Sequence, residues 1–161
     1  MLATAHEPPE LAPSPRHEVA ALGGSARLYH FEPSPGAPSR SGRPLLIVPS
    51  MINRWFVVDL RRGASLIEAL VSAGIDTYCL DWGVPGPEDR YLAWDEVLRR
   101  LARAARAVAR RSRVEAIGLL GYCMGGTLAA IHASLHPSSV AALVNLAGPI
   151  DFSEAGELAR M

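Results

Sequence analysis

The sequence predicts an α/β fold, with a parallel sheet flanked by helices, for two reasons. Short apolar runs alternate along the chain with segments of helical periodicity, and four such β-α repeats need crossovers between parallel strands. In addition, 161 residues with a hydrophobic share of 49% are enough for one domain with a buried core. Such crossovers are right-handed and place helices on both faces of the sheet, so the chemistry is expected at the carboxyl ends of the strands.

The N-terminal part is predicted to contain a tail, a hairpin and a loop. Residues 1–18 are proline-rich and lack apolar periodicity, so they are expected to form a disordered tail. Residues 19–31 carry two short apolar stretches around a Gly-Gly pair, which is typical of a β-hairpin. Residues 32–44 hold four prolines and two glycines and are predicted to be a flexible loop. Residues 19–161 together are expected to belong to one domain.

The core elements follow in chain order. Ser65 and Glu68 form a capping-box pair that opens a short helix, and Gly74 supplies its left-handed stop. A second, amphipathic helix covers residues 94–108, with acidic residues at its start and arginines towards its end, as the helix dipole favours. Four apolar strands and a third helix of small residues complete the pattern. The strands are predicted at residues 45–48, 75–80, 116–120 and 141–146, and the third helix at residues 127–135.

A candidate nucleophile follows the third predicted strand, in the segment GYCMGG at residues 121–126, which opens directly into a helix. The pattern G-x-C-x-G in this position is typical of the nucleophile elbow of α/β-hydrolase-type folds, where the backbone is strained and glycines let strand and helix approach closely. Cys123 is therefore the predicted nucleophile, and its place beside the first helix amides favours the thiolate form. The predicted elbow glycines are Gly121, Gly125 and Gly126.

The residues around Cys123 favour a nucleophile over the main alternative, a small buried side chain in a phosphate-binding loop. No G-x-x-x-x-G-K-[ST] or G-x-G-x-x-G pattern accompanies the cysteine. In an elbow, the backbone N–H of Met124 faces the oxyanion that forms at the attacked carbonyl. The second oxyanion donor is expected from the loop after the first core strand, at the amide of Met51 or Ile52.

These motifs resemble the catalytic subunit (PhaC) of poly(3-hydroxyalkanoate) synthases, particularly the short type that works with a second subunit. The similarity covers about residues 19–152. Besides the cysteine-containing elbow, it rests on the apolar first strand, on Asn-Arg, Asp-Leu and Ser-Leu pairs, and on the motifs Asp-Trp-Gly and Pro-Ile-Asp-Phe. These segments occupy residues 45–48, 53–54, 59–60, 65–66, 81–83 and 149–152.

The resemblance implies an acyltransferase that takes 3-hydroxyacyl-CoA, releases CoA and polymerises the acyl group into polyhydroxyalkanoate through a covalent cysteine thioester. The CoA thioester is then the substrate, and no cofactor is implied. A thiolate suits this role, because exchange of one thioester for another keeps the acyl group activated for transfer to a hydroxyl. The implied partners are the growing polyester and a second synthase subunit, with a homodimer as an alternative, in the cytoplasm at the surface of polymer granules.

The catalytic aspartate and histidine of that family match no residue of this chain. In this fold, the acid and then the histidine follow the nucleophile on loops after later strands. The chain is therefore expected to be the N-terminal part of the domain, truncated after the strand that follows the nucleophile helix, and incomplete or inactive alone. The alternatives are an α/β-fold thioesterase or esterase and a non-catalytic remnant that binds a partner through the exposed edge of its last strand.

Several other residues are assigned structural roles. Asp151 is expected to cap a turn. His132 and His136 have a spacing that can bind metal, but no Glu or Cys partner accompanies them, so no metal site is predicted and His136 is expected to end the helix. Three aromatic residues near strand ends fit either a substrate channel or core packing: Trp55, Phe56 and Trp82.

Composition argues against some classes of partner. Sixteen basic and sixteen acidic residues cancel, so no overall field favours nucleic acid. The basic face at residues 99–113 is interpreted as a solvated helix surface. No apolar run approaches the roughly 20 residues of a membrane span, and the N-terminus lacks the pattern of an export signal. Cys79 and Cys123 are accordingly expected to be reduced thiols.

Overall fold

The structure, a computed structural model, describes residues 11–40 and 42–153. The strands are β1 (Arg16–Gly23), β2 (Ala26–Phe31), β3 (Leu45–Val48), β4 (Asp59–Arg61), β5 (Ala64–Ser65), β6 (Thr77–Asp81), β7 (Ile117–Tyr122) and β8 (Val140–Leu146). The α-helices are α1 (Leu66–Ser72), α2 (Trp94–Ser112) and α3 (Met124–Leu135). Six strands form one sheet in the order β1-β2-β6-β3-β7-β8, and β4 and β5 form a separate pair.

The predicted fold class is confirmed, with a sheet that is parallel in its core. Strands β6, β3, β7 and β8 run parallel, so that Leu46 lies opposite Tyr78 on one side and Leu119 on the other. The N-terminal hairpin departs from the parallel arrangement, because β1 and β2 are antiparallel and β2 pairs antiparallel with β6. A connection of two residues, such as the one between β1 and β2, can join only antiparallel strands, whereas parallel strands need a long crossover.

The helices begin and end close to their predicted positions. Helix α2 extends to Ser112, beyond residue 108, and α3 begins at Met124, directly after the candidate nucleophile rather than at residue 127. Only half of the predicted capping box forms: the Ser65 hydroxyl accepts from the Glu68 N–H at 2.9 Å, while the Glu68 carboxylate accepts from another backbone amide, that of Gly63. A nearby turn thus competes for the carboxylate, which sequence spacing alone does not reveal.

The prediction of a disordered tail is wrong for residues 11–18, which are ordered. Strand β1 begins at Arg16, and Ser14 donates from both its backbone N–H and its hydroxyl to the carboxylate of Asp59, at 3.1 and 2.8 Å. Asp59 is fully buried, and a buried carboxylate needs such donors. Residues 11–18 are therefore part of the folded domain, and residues 1–10 of the predicted tail lie outside the described residues.

The interpretation of the basic face of α2 as a solvated surface is wrong at Arg100, which is buried. Its side chain is only 6% exposed and pairs with Asp89 at 2.8 Å, and this hydrogen bond holds the pKa of Asp89 below its usual value. Glu96 accepts from Arg99 and also pairs with Arg103. Part of the basic face therefore holds the preceding loop, residues 84–93, against α2, while other arginines remain at the surface.

Two apolar clusters cover the two faces of the sheet. One lies under α2 and α3, and the other lies under α1 and the 3-10 turn at Trp55–Val58. Trp55 is buried in the second cluster and Phe56 is partly buried against it, so core packing accounts for both residues. Cys79 is fully buried in the same cluster, which raises the pKa of its thiol. Cys79 and Cys123 are not bonded to each other in the structure, and their reduced state stays a prediction.

The loop before β3 and the exposed edge of the last strand have the arrangement that was predicted. Between residues 32 and 44, the described residues form no helix or strand, as predicted, and Arg40 pairs with Asp76 at 2.7 Å. Strand β8 pairs with β7 alone in the part of the chain that the structure describes, so the predicted exposed edge is present. No helix among the described residues has the length and apolar character needed to cross a membrane.

Candidate active site

The segment around Cys123 forms a sharp strand-to-helix turn at the carboxyl end of β7. Cys123 lies between Tyr122, which ends β7, and Met124, which begins α3. Its backbone has φ +54° and ψ −129°, a strained conformation for a residue with a side chain. The Cys123 N–H donates to the carbonyl of Leu146 at 2.9 Å, and its carbonyl accepts from the N–H of Gly126 at 2.7 Å. The turn therefore has the geometry that a nucleophile elbow requires.

The three elbow glycines lie where no side chain fits. A Cβ atom on Gly125 would overlap the carbonyl oxygen of Val48 and lie 2.7 Å from that of Pro49, in the loop after β3. A Cβ on Gly121 would lie 2.6 Å from the backbone nitrogen of Gly126. The close contact between α3, β7 and the end of β3 therefore depends on glycine at these positions.

Asn145 is a residue of the site that the sequence analysis did not single out. It is the polar residue in the apolar strand β8, and its side chain exchanges two hydrogen bonds with the backbone of Gly148, both at 2.9 Å. Its Oδ1 atom also lies where a Cβ on Gly126 would project. The side chain thus shapes the turn after β8 against the elbow. A lone amide in an otherwise apolar strand was the available signal.

The loop that was predicted to supply the second oxyanion donor lies beside the elbow. Trp82 is 9% exposed, and its indole N–H donates to the carbonyl of Pro49 at 2.9 Å, which fixes the start of this loop. Ser50 is fully buried, and its hydroxyl accepts from the N–H of Ile52 at 3.2 Å. Because the Ile52 amide has this partner, Met51 is the better candidate of the two for the second donor.

An apolar groove of about 240 Å³ adjoins the elbow. Five apolar side chains line it, from the loop after β3, the segment before α2, the first turn of α2 and the first residue of α3. They are Met51, Leu92, Trp94, Val97 and Met124. The structure thereby brings together the residues of two predicted oxyanion donors, Met51 and Met124, which are far apart in sequence.

Within the described residues, no side chain is hydrogen-bonded to the thiol of Cys123. His30 pairs with Asp76 at 2.8 Å, and Asp76 precedes β6, at the opposite end of the parallel strands from the elbow. Asp151 accepts from the N–H of Ser153 at 2.8 Å, so it caps a turn as expected. In the described part of the chain, the predicted nucleophile and the predicted oxyanion donors therefore lie at one turn, and no basic side chain is hydrogen-bonded to the thiol.

His132 is a neutral histidine in the interior of the domain. It is 3% exposed, its ring lies 4.7 Å from that of His136, and burial lowers its pKa from 6.5 to about 4. His136 ends α3, as predicted. Among the described residues, no group of three or more His, Cys, Asp or Glu side chains could hold a metal ion.

The buried state of His132 predicts a loss of stability in mild acid. The unfolded chain binds a proton at His132 below pH 6.5, but the folded chain does so only near pH 4, so the free energy of unfolding falls as pH falls through this window. The loss is at most about 3 kcal/mol. Urea unfolding at pH 7 and pH 4.5 measures it: the pH difference should shrink in His132→Leu and persist in His136→Gln. An equal pH difference in all three proteins would contradict this origin.

The strain at Cys123 predicts an inverted order of stability between two variants. Alanine is normally more stabilising than glycine, but at this φ alanine keeps the strain while glycine relieves it. Cys123→Gly should therefore be more stable than Cys123→Ala by about 1 kcal/mol. Urea unfolding followed by circular dichroism compares them. If the alanine variant is as stable as the glycine variant, the elbow is not strained in solution.

Comparisons with known proteins agree with this geometry. The family model described as alpha/beta hydrolase fold matches residues 43–161. A solved structure of a probable hydrolytic enzyme from Pseudomonas aeruginosa is similar, with a TM-score of 0.59 and 21% identity, over 88% of this chain and 44% of that one. This likeness concerns the fold.

Two curated relatives of the same name are similar to this chain. The chain is 40% identical over 132 residues to the poly(3-hydroxyalkanoate) polymerase subunit PhaC of Synechocystis, covering 81% of this chain and 34% of the relative. It is 35% identical over 126 residues to the subunit of the same name from Allochromatium vinosum, covering 78% and 36%. The resemblance stated from the motifs is confirmed, and the chain spans about a third of the length of these relatives.

Proposed function

The chain belongs to the alpha/beta hydrolase fold family, and we propose that it carries the nucleophile of an acyltransferase that polymerises 3-hydroxyacyl-CoA into polyhydroxyalkanoate. One observation carries this proposal: a cysteine, rather than a serine, occupies the strained turn between β7 and α3. The relatives named poly(3-hydroxyalkanoate) polymerase subunits support the choice of substrate. CoA thioester is the substrate, and the proposal involves no cofactor.

The first step is exchange of one thioester for another. The Cys123 thiolate attacks the carbonyl carbon of the acyl-CoA, and the carbonyl oxygen becomes an oxyanion that accepts from the amides of Met124 and Met51. The new carbon–sulfur bond forms, the bond to the CoA sulfur breaks, and CoA leaves as a thiolate that takes up a proton from water. The acyl group stays activated, since a thioester has replaced a thioester.

Chain growth needs a second step, in which a 3-hydroxyl group attacks the thioester on Cys123. The oxygen–carbon bond forms, the carbon–sulfur bond breaks, and the hydroxyl proton must pass to a base. No described side chain is hydrogen-bonded to Cys123 to take it. For the 161-residue chain alone we therefore expect a single slow acylation without sustained turnover, and a second synthase subunit or a second copy of the chain is the proposed partner at the granule surface.

The fate of the acyl group tests this proposal against thioester hydrolysis. After incubation with 3-hydroxybutyryl-CoA, released CoA and free 3-hydroxybutyrate are both quantified. We expect the amount of released CoA to equal the amount of acyl groups bound to protein, both in wild type and in Cys79→Ala. The Cys79 thiol is buried in wild type, so its removal should make no difference. Repeated release of free 3-hydroxybutyrate without bound acyl groups would identify a thioesterase and overturn the proposal.

Substitution of Trp82 is expected to disturb the loop after β3, residues 49–52, which carries Met51 and is called the oxyanion loop below. Trp82→Phe leaves the Pro49 carbonyl without its indole donor, which should cost about 1 kcal/mol of stability and loosen the position of Met51. Acylation of Cys123 by a thioester should slow about tenfold, because the oxyanion loses one aligned donor. Alkylation of Cys123 by iodoacetamide, which forms no oxyanion, is the control and should keep its rate. Equal slowing of both reactions would show that the effect is on the thiol itself.

A further inference from the structure

We propose that the apolar groove beside the elbow binds the alkyl substituent of the acyl group and sets the preference for acyl chain length. This inference rests on the proposed function, because it assigns a part of the substrate to the same site. The side chains that decide the preference are Leu92 and Trp94, which line the groove without belonging to the nucleophile turn or to the oxyanion loop.

The lining of the groove is apolar, as the binding of an alkyl chain requires. All five side chains that line its roughly 240 Å³ are apolar: Met51, Leu92, Trp94, Val97 and Met124. Trp94 is 61% exposed although it is large and apolar, so part of the groove wall is free to gain contacts. A concave apolar surface of this kind gains free energy by burying methylene groups, and it offers no side chain that would recognise a phosphate or a carboxylate.

The position of the groove follows from the two oxyanion donors. Met124 comes directly after Cys123, and the backbone amides of Met124 and Met51 are the proposed partners of the acyl carbonyl. The side chains of these same two residues line the groove. An acyl carbonyl held between the two amides therefore lies next to two residues that line the groove, and the carbon chain that leaves the carbonyl can enter it.

The outer wall of the groove is held in place before any ligand binds. The buried pair between Arg100 and Asp89 anchors the loop before α2, and the N–H of Leu92 donates to the Asp89 carbonyl at 3.0 Å. Trp94 then begins α2. Because this wall is preformed, little ordering is needed when an alkyl chain binds, and burial of each methylene group should raise the rate of reaction at Cys123 about two- to four-fold.

A chain-length series of alkyl methanethiosulfonates tests the groove without relying on acyl transfer. The Cys123 thiolate attacks the sulfur that bears the alkyl group, a mixed disulfide forms, and methanesulfinate leaves. We expect hexyl methanethiosulfonate to label Cys123 at least tenfold faster than the methyl reagent in wild type. The ratio should fall by at least fivefold in Trp94→Ala and in Leu92→Ala. Tyr91→Ala is the matched control, because Tyr91 is 89% exposed and lies outside the groove lining.

The same variants are then compared with 3-hydroxybutyryl-CoA and 3-hydroxyoctanoyl-CoA, by intact mass of the acylated protein. A lower preference for the longer chain in Trp94→Ala and Leu92→Ala, with Tyr91→Ala like wild type, supports the inference. If no thioester acylates Cys123 but the alkyl series still depends on Trp94, the proposed function fails and the groove stands. If acylation occurs and neither series responds to Trp94→Ala or Leu92→Ala, the groove assignment is overturned and the proposed function stands.

Discussion

Gly125→Ala is expected to be the most damaging small substitution in the domain, with a loss of at least about 3 kcal/mol of stability. The added Cβ would overlap the carbonyl oxygen of Val48 and lie 2.7 Å from that of Pro49. Neither side can move easily, because Val48 pairs with Gly121 in the sheet and α3 starts at the elbow. Overpacking of a backbone contact is among the few mechanisms that reach this size.

Urea unfolding measured by circular dichroism checks the effect of Gly125→Ala. Gly36→Ala is the matched control: it adds the same methyl group where nothing lies within 4 Å, at a φ of +78°, so it should cost only about 1 kcal/mol. A Gly125→Ala variant as stable as this control would mean that α3 and the end of β3 are not in close contact.

Cys123→Ser is expected to reduce acylation by 3-hydroxybutyryl-CoA at least about 100-fold. A hydroxyl is almost fully protonated at neutral pH and needs a base, whereas a thiol supplies some thiolate without one. Because no described side chain is hydrogen-bonded to this position, serine has no means of activation there. Serine is close in size to cysteine, so stability should change little and a loss of acylation should reflect chemistry.

Intact mass spectrometry over time compares Cys123→Ser with wild type and with Cys79→Ala. Cys79→Ala should be acylated at the wild-type rate. The Cys79 thiol that it lacks is buried in wild type, where burial raises the pKa of this thiol, so it is not expected to react. Equal acylation of Cys123→Ser and wild type would contradict the assignment, since it would require either an unrecognised base or a different acylated residue.

The elbow could be predicted from the sequence because its determinants are local. The glycines at residues 121 and 125, the cysteine between them and the change from an apolar strand to a helix all lie within one short segment. Its geometry in the structure agrees with that prediction, whereas the role of Cys123 as nucleophile stays a proposal. The apolar runs likewise gave the core strands and their parallel arrangement, since long crossovers leave few other topologies.

The parts that sequence reasoning missed depend on contacts between distant segments. Arg100 is buried because Asp89 lies on the loop packed against α2, and helical periodicity places Arg100 on a face without showing what covers that face. Ser14 is ordered because the buried Asp59, 45 residues further on, needs donors. Trp82 fixes the start of the loop after β3 through an indole hydrogen bond to the carbonyl of Pro49, a contact that no spacing rule reveals.

The role of Cys123 as nucleophile is tested by identifying the residue that 3-hydroxybutyryl-CoA acylates. The 161-residue chain is incubated with the thioester, digested and mapped by mass spectrometry, with hydroxylamine used to cleave thioesters selectively. If Cys123 is the nucleophile, one hydroxylamine-sensitive 3-hydroxybutyryl group forms on Cys123 with release of one CoA, and this group is absent in Cys123→Ala. Acylation at Cys79 or at a hydroxyl group, with Cys123 unmodified, would contradict it.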